Sequence, residues 1–346
     1  MVGSPISNPG VGIIEVSGVA KSITSAGTTI VAFVGRAVKG PLHQPTLITS
    51  FGEYERVFWG IVSSSTMAYA AASTMSYAVL QFFLNGGTNA LIVRIPSTET
   101  TRGRTLMRCP DAVTAFELQA KVEGPWINNF VVQPNYGGID PASTTDFNLV
   151  IERHAGVMLS PYPYSPIVER ETHYNLSMLP DSPRFVADIL ERDSEWLRVY
   201  PPSLSTMPTV RPIQAPMNFD WYYAAESGNM NDNLYLGSAS SHTGIYALDL
   251  ADHFDILCIP PMTLSTAGGT NNDIGIATWQ AALAYCKKRR AMLIVDPPAA
   301  WTSVSAVTNA STGIDGITGT GMSRPRPLAV ISASIPALEK ASAASP

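Results

Sequence analysis

The first strong pattern along the chain is an unbroken apolar run, Ile30-Val31-Ala32-Phe33-Val34, closed by Gly35. A β-branched run with no polar alternation predicts a strand covered on both faces. Phe51, Tyr54, Val57 and Phe58 then recur at helical spacing, with Glu53 and Glu55 near the start, where they complement the helix dipole. A second helix is predicted over Met67 to Leu84, with Met75, Val79, Phe82 and Phe83 on one face. Asn85-Gly86-Gly87 ends it, because glycine takes the left-handed conformation cheaply. Ala90 to Ile95 is the next buried strand, and a crossover of this kind predicts a parallel pair.

Beyond residue 96 the period changes. Phe116 to Val122, Phe130 to Gln133 and Phe147 to Glu152 read as short strands, with prolines clustered at 161–166 and 201–208. Period-two strands broken by turns predict an antiparallel sheet. Arg184 to Arg192 adds a helix with Phe185, Ile189 and Leu190 on one side. The α/β pattern then returns: a strand Ile256 to Ile259, a helix Ile276 to Arg290 with Trp279, Leu283 and Cys286 at helical spacing, and a strand Met292 to Val295. The reading is a multidomain α/β and α+β chain. Residues 1–28 are an N-terminal segment, 29–96 the first part of an α/β core, 97–215 an inserted, mostly antiparallel β domain, 216–301 the core continued, and 302–346 a weakly structured tail rich in Ser and Ala. The N-terminal segment turns at Pro9-Gly10-Val11 and alternates through Gly12-Ile13-Ile14-Glu15-Val16. It is either an extended arm that adds a strand to a neighbouring sheet or an unattached terminus.

Composition shifts this picture toward assembly. The chain is 45% hydrophobic but only 14% charged, against about a quarter in ordinary domains. With 13 Tyr, this points to surface buried against other chains. A net charge of -5 weighs against nucleic-acid binding, which favours a basic face. No basic n-region with an apolar stretch opens the chain, and no apolar run nears the about 18 residues of a membrane span. Cys109, Cys258 and Cys286 are odd in number and scattered, so no disulfide framework is read, and synthesis in a reducing cytoplasm is expected.

No catalytic, cofactor or metal site is assigned. Gly35 to Gly40 has phosphate-loop spacing after a strand, but Pro41-Leu42 stands where Lys-Ser/Thr is needed, so a turn is expected. Asn85-Gly86-Gly87 follows a helix, the reverse of a dinucleotide fingerprint. His242, His253 and Asp255 lie near Cys258 without ligand spacing. Ser238, Ser240 and Ser241 lack a nucleophile elbow. Asp188, Glu191, Asp193 and Glu195 read as a solvated helix face rather than a glycosidase pair. Lys287 to Arg290 reads as a helix C-terminal cap rather than a phosphate contact.

Several segments, in order, carry a family resemblance: the strand and loop from Ile30 to Leu42, Thr49 to Phe58, Gln81 to Arg94, Glu123-Gly124-Pro125-Trp126-Ile127-Asn128-Asn129, Tyr174-Asn175-Leu176-Ser177, Leu257 to Pro261, and Tyr285 through Asp296-Pro297-Pro298. Together they cover most of residues 9 to 301, and the ordered set resembles the sheath protein of contractile phage tails and phage-tail-like injection systems. The resemblance implies a non-enzymatic structural subunit without a cofactor. It implies stacked sixfold rings around an inner tube, with the subunit itself, the tube protein and baseplate and terminator proteins as partners. Contraction would drive the tube through a target membrane without the subunit inserting into it. The particle would be a phage tail or a cytoplasmic or released contractile particle, made in a bacterial cytoplasm. The resemblance also assigns Pro9, Gly10, Val11, Gly12, Ile13, Ile14, Glu15 and Val16 to an inter-subunit donor strand, with residues 17–27 as its linker. Two departures from the family pattern are Gly12, where a larger residue is usual, and an end at Pro346 where sheath proteins continue through a further C-terminal portion. The alternatives are a baseplate or capping component of the same kind of particle and, further off, an α/β enzyme.

Overall fold

The computed structural model describes residues 29–61, 73–97, 100–110, 115–155, 166–218, 230–262, 273–318 and 328–330. The proposed donor strand and linker lie outside these residues, as does residues 67–72 of the second predicted helix.

Its main sheet has six strands: β1 (Ile30–Gly35), β2 (Thr46–Ile48), β3 (Asn89–Arg94), β11 (Ile256–Cys258), β12 (Met292–Val295) and β13 (Leu328–Val330). They lie in the order β13-β12-β11-β1-β3-β2. All neighbours are parallel except β2, which runs antiparallel to β3. The expected parallel pair is β1 with β3, in register from Ile30 opposite Asn89 to Gly35 opposite Arg94.

The absence of polar alternation in β1 follows from its two covered faces. Val31 and Phe33 pack with Ala90 and Ile92 against Tyr54, Phe58, Met75 and Val79 of helices α1 (Phe51–Phe58) and α2 (Thr74–Leu84). Ala32 and Val34 face the other way, with Leu91, Val93, Leu257 and Leu293, toward Trp279, Leu283 and Cys286 of a later helix, Ile276–Arg289. The N-terminal end of α1 is fixed by its sequence: Ser50 accepts from the Glu53 amide at 3.2 Å, and Glu53 accepts from the Thr49 amide at 2.9 Å. That reciprocal capping holds the Glu53 carboxyl below its ordinary value. Within the layer, Tyr54 is fully buried and its hydroxyl meets Ser76 Oγ at 2.9 Å, and burial pushes the phenol's pKa up.

The chain between β3 and β11 builds two antiparallel sheets. The first has the order β4-β5-β9, from Arg104–Arg108, Ala115–Ala120 and Leu197–Val199. The second has the order β10-β6-β7-β8, from Met217–Asn218, Phe130–Asn135, Asp146–His154 and Ile167–Ser177. Both share one core with helix α3 (Val186–Asp193): Phe116, Leu118, Phe130, Phe147, Leu149, Ile189, Leu190 and Trp196 belong to a single buried cluster.

Short regular elements occur after Trp301 among the described residues, where a weakly structured tail is expected from the sequence. Leu328–Val330 forms β13, the parallel edge strand beside β12. A short helix, Ile314–Thr318, buries Ile317 in the core shared with Trp279 and Leu283. Trp301 Nε1 donates to the Thr312 carbonyl at 2.9 Å, and Gln280 Nε2 to the Gly316 carbonyl at 2.8 Å. Ser, Thr and Gly richness concealed this because the segment contributes only a few apolar side chains to a core already built by other elements. A 3-10 helix, Gly244–Leu250, leads into β11.

Candidate assembly surfaces

In an open α/β sheet, the chemical site is expected where connections leave adjacent strands toward opposite faces. That place here is between the C-terminal ends of β1 and β11, since β1 leads to α2 on one face and β11 leads to Ile276–Arg289 on the other. The crevice is occupied by the protein's own groups. Ser73 donates to the Arg36 carbonyl and Thr74 to the Pro261 carbonyl, tying the start of α2 across both strand ends. Ser73 Oγ also accepts from the Ser76 amide at 3.2 Å. The buried Cys258 thiol is pushed up by desolvation, which disfavours the reactive thiolate.

The loop with phosphate-loop spacing has a different purpose. It turns carbonyls inward, onto Arg94 at the end of β3. Arg94 Nε donates to the Ala37 carbonyl at 2.8 Å, and Nη1 donates to the Gly40 carbonyl at 2.8 Å and the Glu123 carbonyl at 2.9 Å. Its relative exposure is 0%. The guanidinium therefore pins the loop after β1 to the turn that enters the antiparallel region. Gly124 in that turn has φ +126, and a Cβ there would lie 2.7 Å from Arg94 Nη2 and 2.9 Å from the Val38 carbonyl. Only glycine suits both demands. Trp126 follows on the 3-10 helix Pro125–Asn129, fully buried, with Nε1 donating to the Val122 carbonyl at 3.2 Å. The Glu123-to-Asn129 segment is thus a junction.

The other candidates fall apart spatially or are accounted for locally. Asn85 Nδ2 donates to the Gln81 carbonyl at 2.7 Å, and Gly86 takes φ +88 at the end of α2. His253 Nε2 meets Asp255 Oδ1 at 2.9 Å on the surface, while Asp255 Oδ2 accepts the Ile30 amide at 2.8 Å. His242 sits in a turn at φ 51. No group of three or more potential metal ligands occurs among the described residues. Ser238 and Ser240 hydroxyls meet each other at 3.0 Å in an exposed turn. Asp193 pairs with the adjacent Arg192, which holds its carboxyl below the ordinary value. Of the basic helix end, Arg289 reaches sideways to the Ala251 carbonyl at 2.6 Å and to Asp249 at 3.5 Å.

What remains is exposed strand edge and one cleft. β8 is an eleven-residue strand bonded on one side to β7, and it ends its sheet among the described residues. Its C-terminal half is covered: Arg184 donates to the Tyr174 and Asn175 carbonyls, and Ser177 bridges Phe185. Its N-terminal half, from Ile167 to Glu171, is open, with Ile167 45% and Val168 48% exposed. Cross-strand pairs fix it to β7: Arg153 Nε to Glu169 at 2.9 Å and Arg170 Nη2 to Glu152 at 2.7 Å. Each such exposed pair contributes about 0.2–1 kcal/mol. At one end of the main sheet, β2 is a second edge among the described residues, with Leu47 50% exposed.

Where Arg153 and Glu169 stand, the core of the antiparallel region opens into a cleft of about 310 Å³. Trp59, the left-handed cap of α1, and Trp196 form its walls, with Glu55 and Arg56 of α1 beside them. Lys39 Nζ lies 5.1 Å over the Trp126 ring and Arg153 lies 5.0 Å over Trp59. Burial pushes the Lys39 ammonium below its ordinary pKa, and Glu195 and Glu169 pull it part of the way back. Sequence reasoning passed over this cleft, since Lys39 stood in a stretch read only as a turn.

No helix among the described residues is long and apolar enough to cross a membrane. No family profile and no curated protein matches the chain. Among solved structures it is similar to a sheath tail protein from Listeria innocua, at 13% identity and TM-score 0.45, over 79% of this chain and 48% of that one. It is also similar to a sheath tail protein from Desulfitobacterium hafniense, at 11% identity and TM-score 0.45, over 78% of this chain and 49% of that one. The chain spans about half the length of the two sheath tail proteins it matches.

Proposed function

We propose that this chain is a structural subunit of a contractile sheath. It stacks with copies of itself as sixfold rings around an inner tube, and baseplate and terminator proteins bound the stack. The observation that carries the reading is the partly apolar half of β8, open among the described residues, together with a sheet edge at β2. An uncovered strand edge is a hazard for a free monomer and a binding element for an assembling one. The ordered sequence resemblance from residue 9 to 301 supports the same reading, as does the low charged fraction of 14%.

Contraction demands two packings of one subunit with different interface energies. Strand exchange suits that demand, because backbone ladders between chains survive rigid-body rotation when the linkers bend. Residues 9–16 are the donor strand in this reading, and the Gly and Ser content of residues 17–27 supplies the bend. The subunit works through its surfaces, and no catalytic step is assigned to it.

Deleting residues 1–20 tests the arm. The shortened chain is expected to keep the unfolding midpoint of the full chain and to remain in the supernatant under conditions where the full chain pellets as tubes. Long, regular tubes from the shortened chain would refute the arm assignment.

A further inference from the structure

The cleft walled by Trp59 and Trp196 has no assigned part in strand exchange, and Lys39 lines it. Lys39 is half-buried with Nζ over the Trp126 ring, yet it makes no hydrogen bond or ion pair among the described residues. A partly desolvated ammonium without a partner is a costly group that gains from a counter-charge. The nearest carboxylates do not relieve it. Glu169 is engaged by Arg153 at 2.9 Å, and Glu195 acts on Lys39 through its field alone. The Trp126 ring stabilises the cation from one side and leaves the cleft side for an anion.

We propose that this cleft is a socket for a carboxylate side chain, Asp or Glu, from a second copy of this chain. A single carboxylate fits the lining better than a multiply charged anion, since Glu55, Glu169 and Glu195 stand against Lys39, Arg56 and Arg153 in the lining and would repel further negative charge. A second copy fits because it is the partner that the self-assembling reading supplies, and its acidic residues outnumber its basic ones, 27 to 22. The cleft is also continuous, through Glu169, with the exposed Ile167 and Val168 of the β8 edge. Apolar contact beside a dry charge pair is the anatomy of a specific protein interface. The inference rests on the self-assembling reading given above, and it adds which group meets which.

The test is the critical concentration for assembly of the full chain, measured by pelleting, with Lys39→Met and Lys39→Arg variants. Lys39→Met keeps the stem over Trp126 and removes the charge. It is expected to unfold at or above the wild-type midpoint and to raise the critical concentration by about tenfold or more. Lys39→Arg is expected to stay within about threefold of wild type. An unchanged critical concentration for Lys39→Met overturns the proposal. A wild-type chain that never assembles counts against the parent reading, and the socket is then read on the monomer. Tryptophan emission is titrated with sodium N-acetylglutamate against sodium chloride of equal ionic strength. A saturable change present in wild type and lost in Lys39→Met sustains the socket, and no saturable change refutes it.

Discussion

Replacing Arg94 by methionine is expected to cost about 3–5 kcal/mol of stability, the scale of breaking a buried charged network. Methionine fills much of the volume but donates nothing. The Ala37, Gly40 and Glu123 carbonyls would then be left buried with their donor gone. Each such loss carries the full desolvation penalty of the group. Lysine would rescue little, because one ammonium cannot span carbonyls contributed by both the loop after β1 and the turn before Trp126. Against a typical domain stability of about 5–15 kcal/mol, the loss is large. The check is the urea midpoint of Arg94→Met against wild type. A change under about 1 kcal/mol would mean that the junction is not held by this guanidinium.

Truncating Trp126 to alanine is the second large effect, expected at about 3–5 kcal/mol. The ring is fully buried, edge-on to Phe130 at 5.2 Å and to Trp59 at 6.1 Å. Phe130 in turn meets Trp196 at 5.0 Å, so the hole would open in the middle of an aromatic cluster. The surrounding sheets cannot collapse into it without breaking the β6–β7 ladder. Near-UV circular dichroism should lose much of its intensity while the far-UV signal persists. Trp126 and Arg94 meet at Gly124, so the double variant should lose less than the sum of the singles. Strict additivity would show that the turn does not couple them.

How much of this was legible depends on what each residue does. The strands at Ile30, Ala90 and Ile256 stood out because both sides are covered and no polar alternation interrupts them, and the strand at Met292 stood out as an apolar run although only Leu293 and Val295 enter the core. β8 did not, because its open half reads Ile167-Val168-Glu169-Arg170-Glu171 without alternation, and cross-strand ion pairs hold it where apolar alternation usually would. β2 and β13 are three residues each, too short to establish a period. The Glu123-to-Asn129 motif could be picked out, but its reason could not, since its partner Arg94 is about thirty residues away. Lys39 was read as part of a turn because burial over Trp126 is a tertiary fact. The donor strand at residues 9–16 rests on the family resemblance and lies outside the described residues.

The measurement that tests the central claim most directly is negative-stain electron microscopy of the purified full chain, alone and with an inner-tube protein. The account predicts long tubes or short stacks of sixfold rings. Single closed rings that never stack would instead indicate a capping or baseplate component. Dispersed monomers under both conditions would contradict the account.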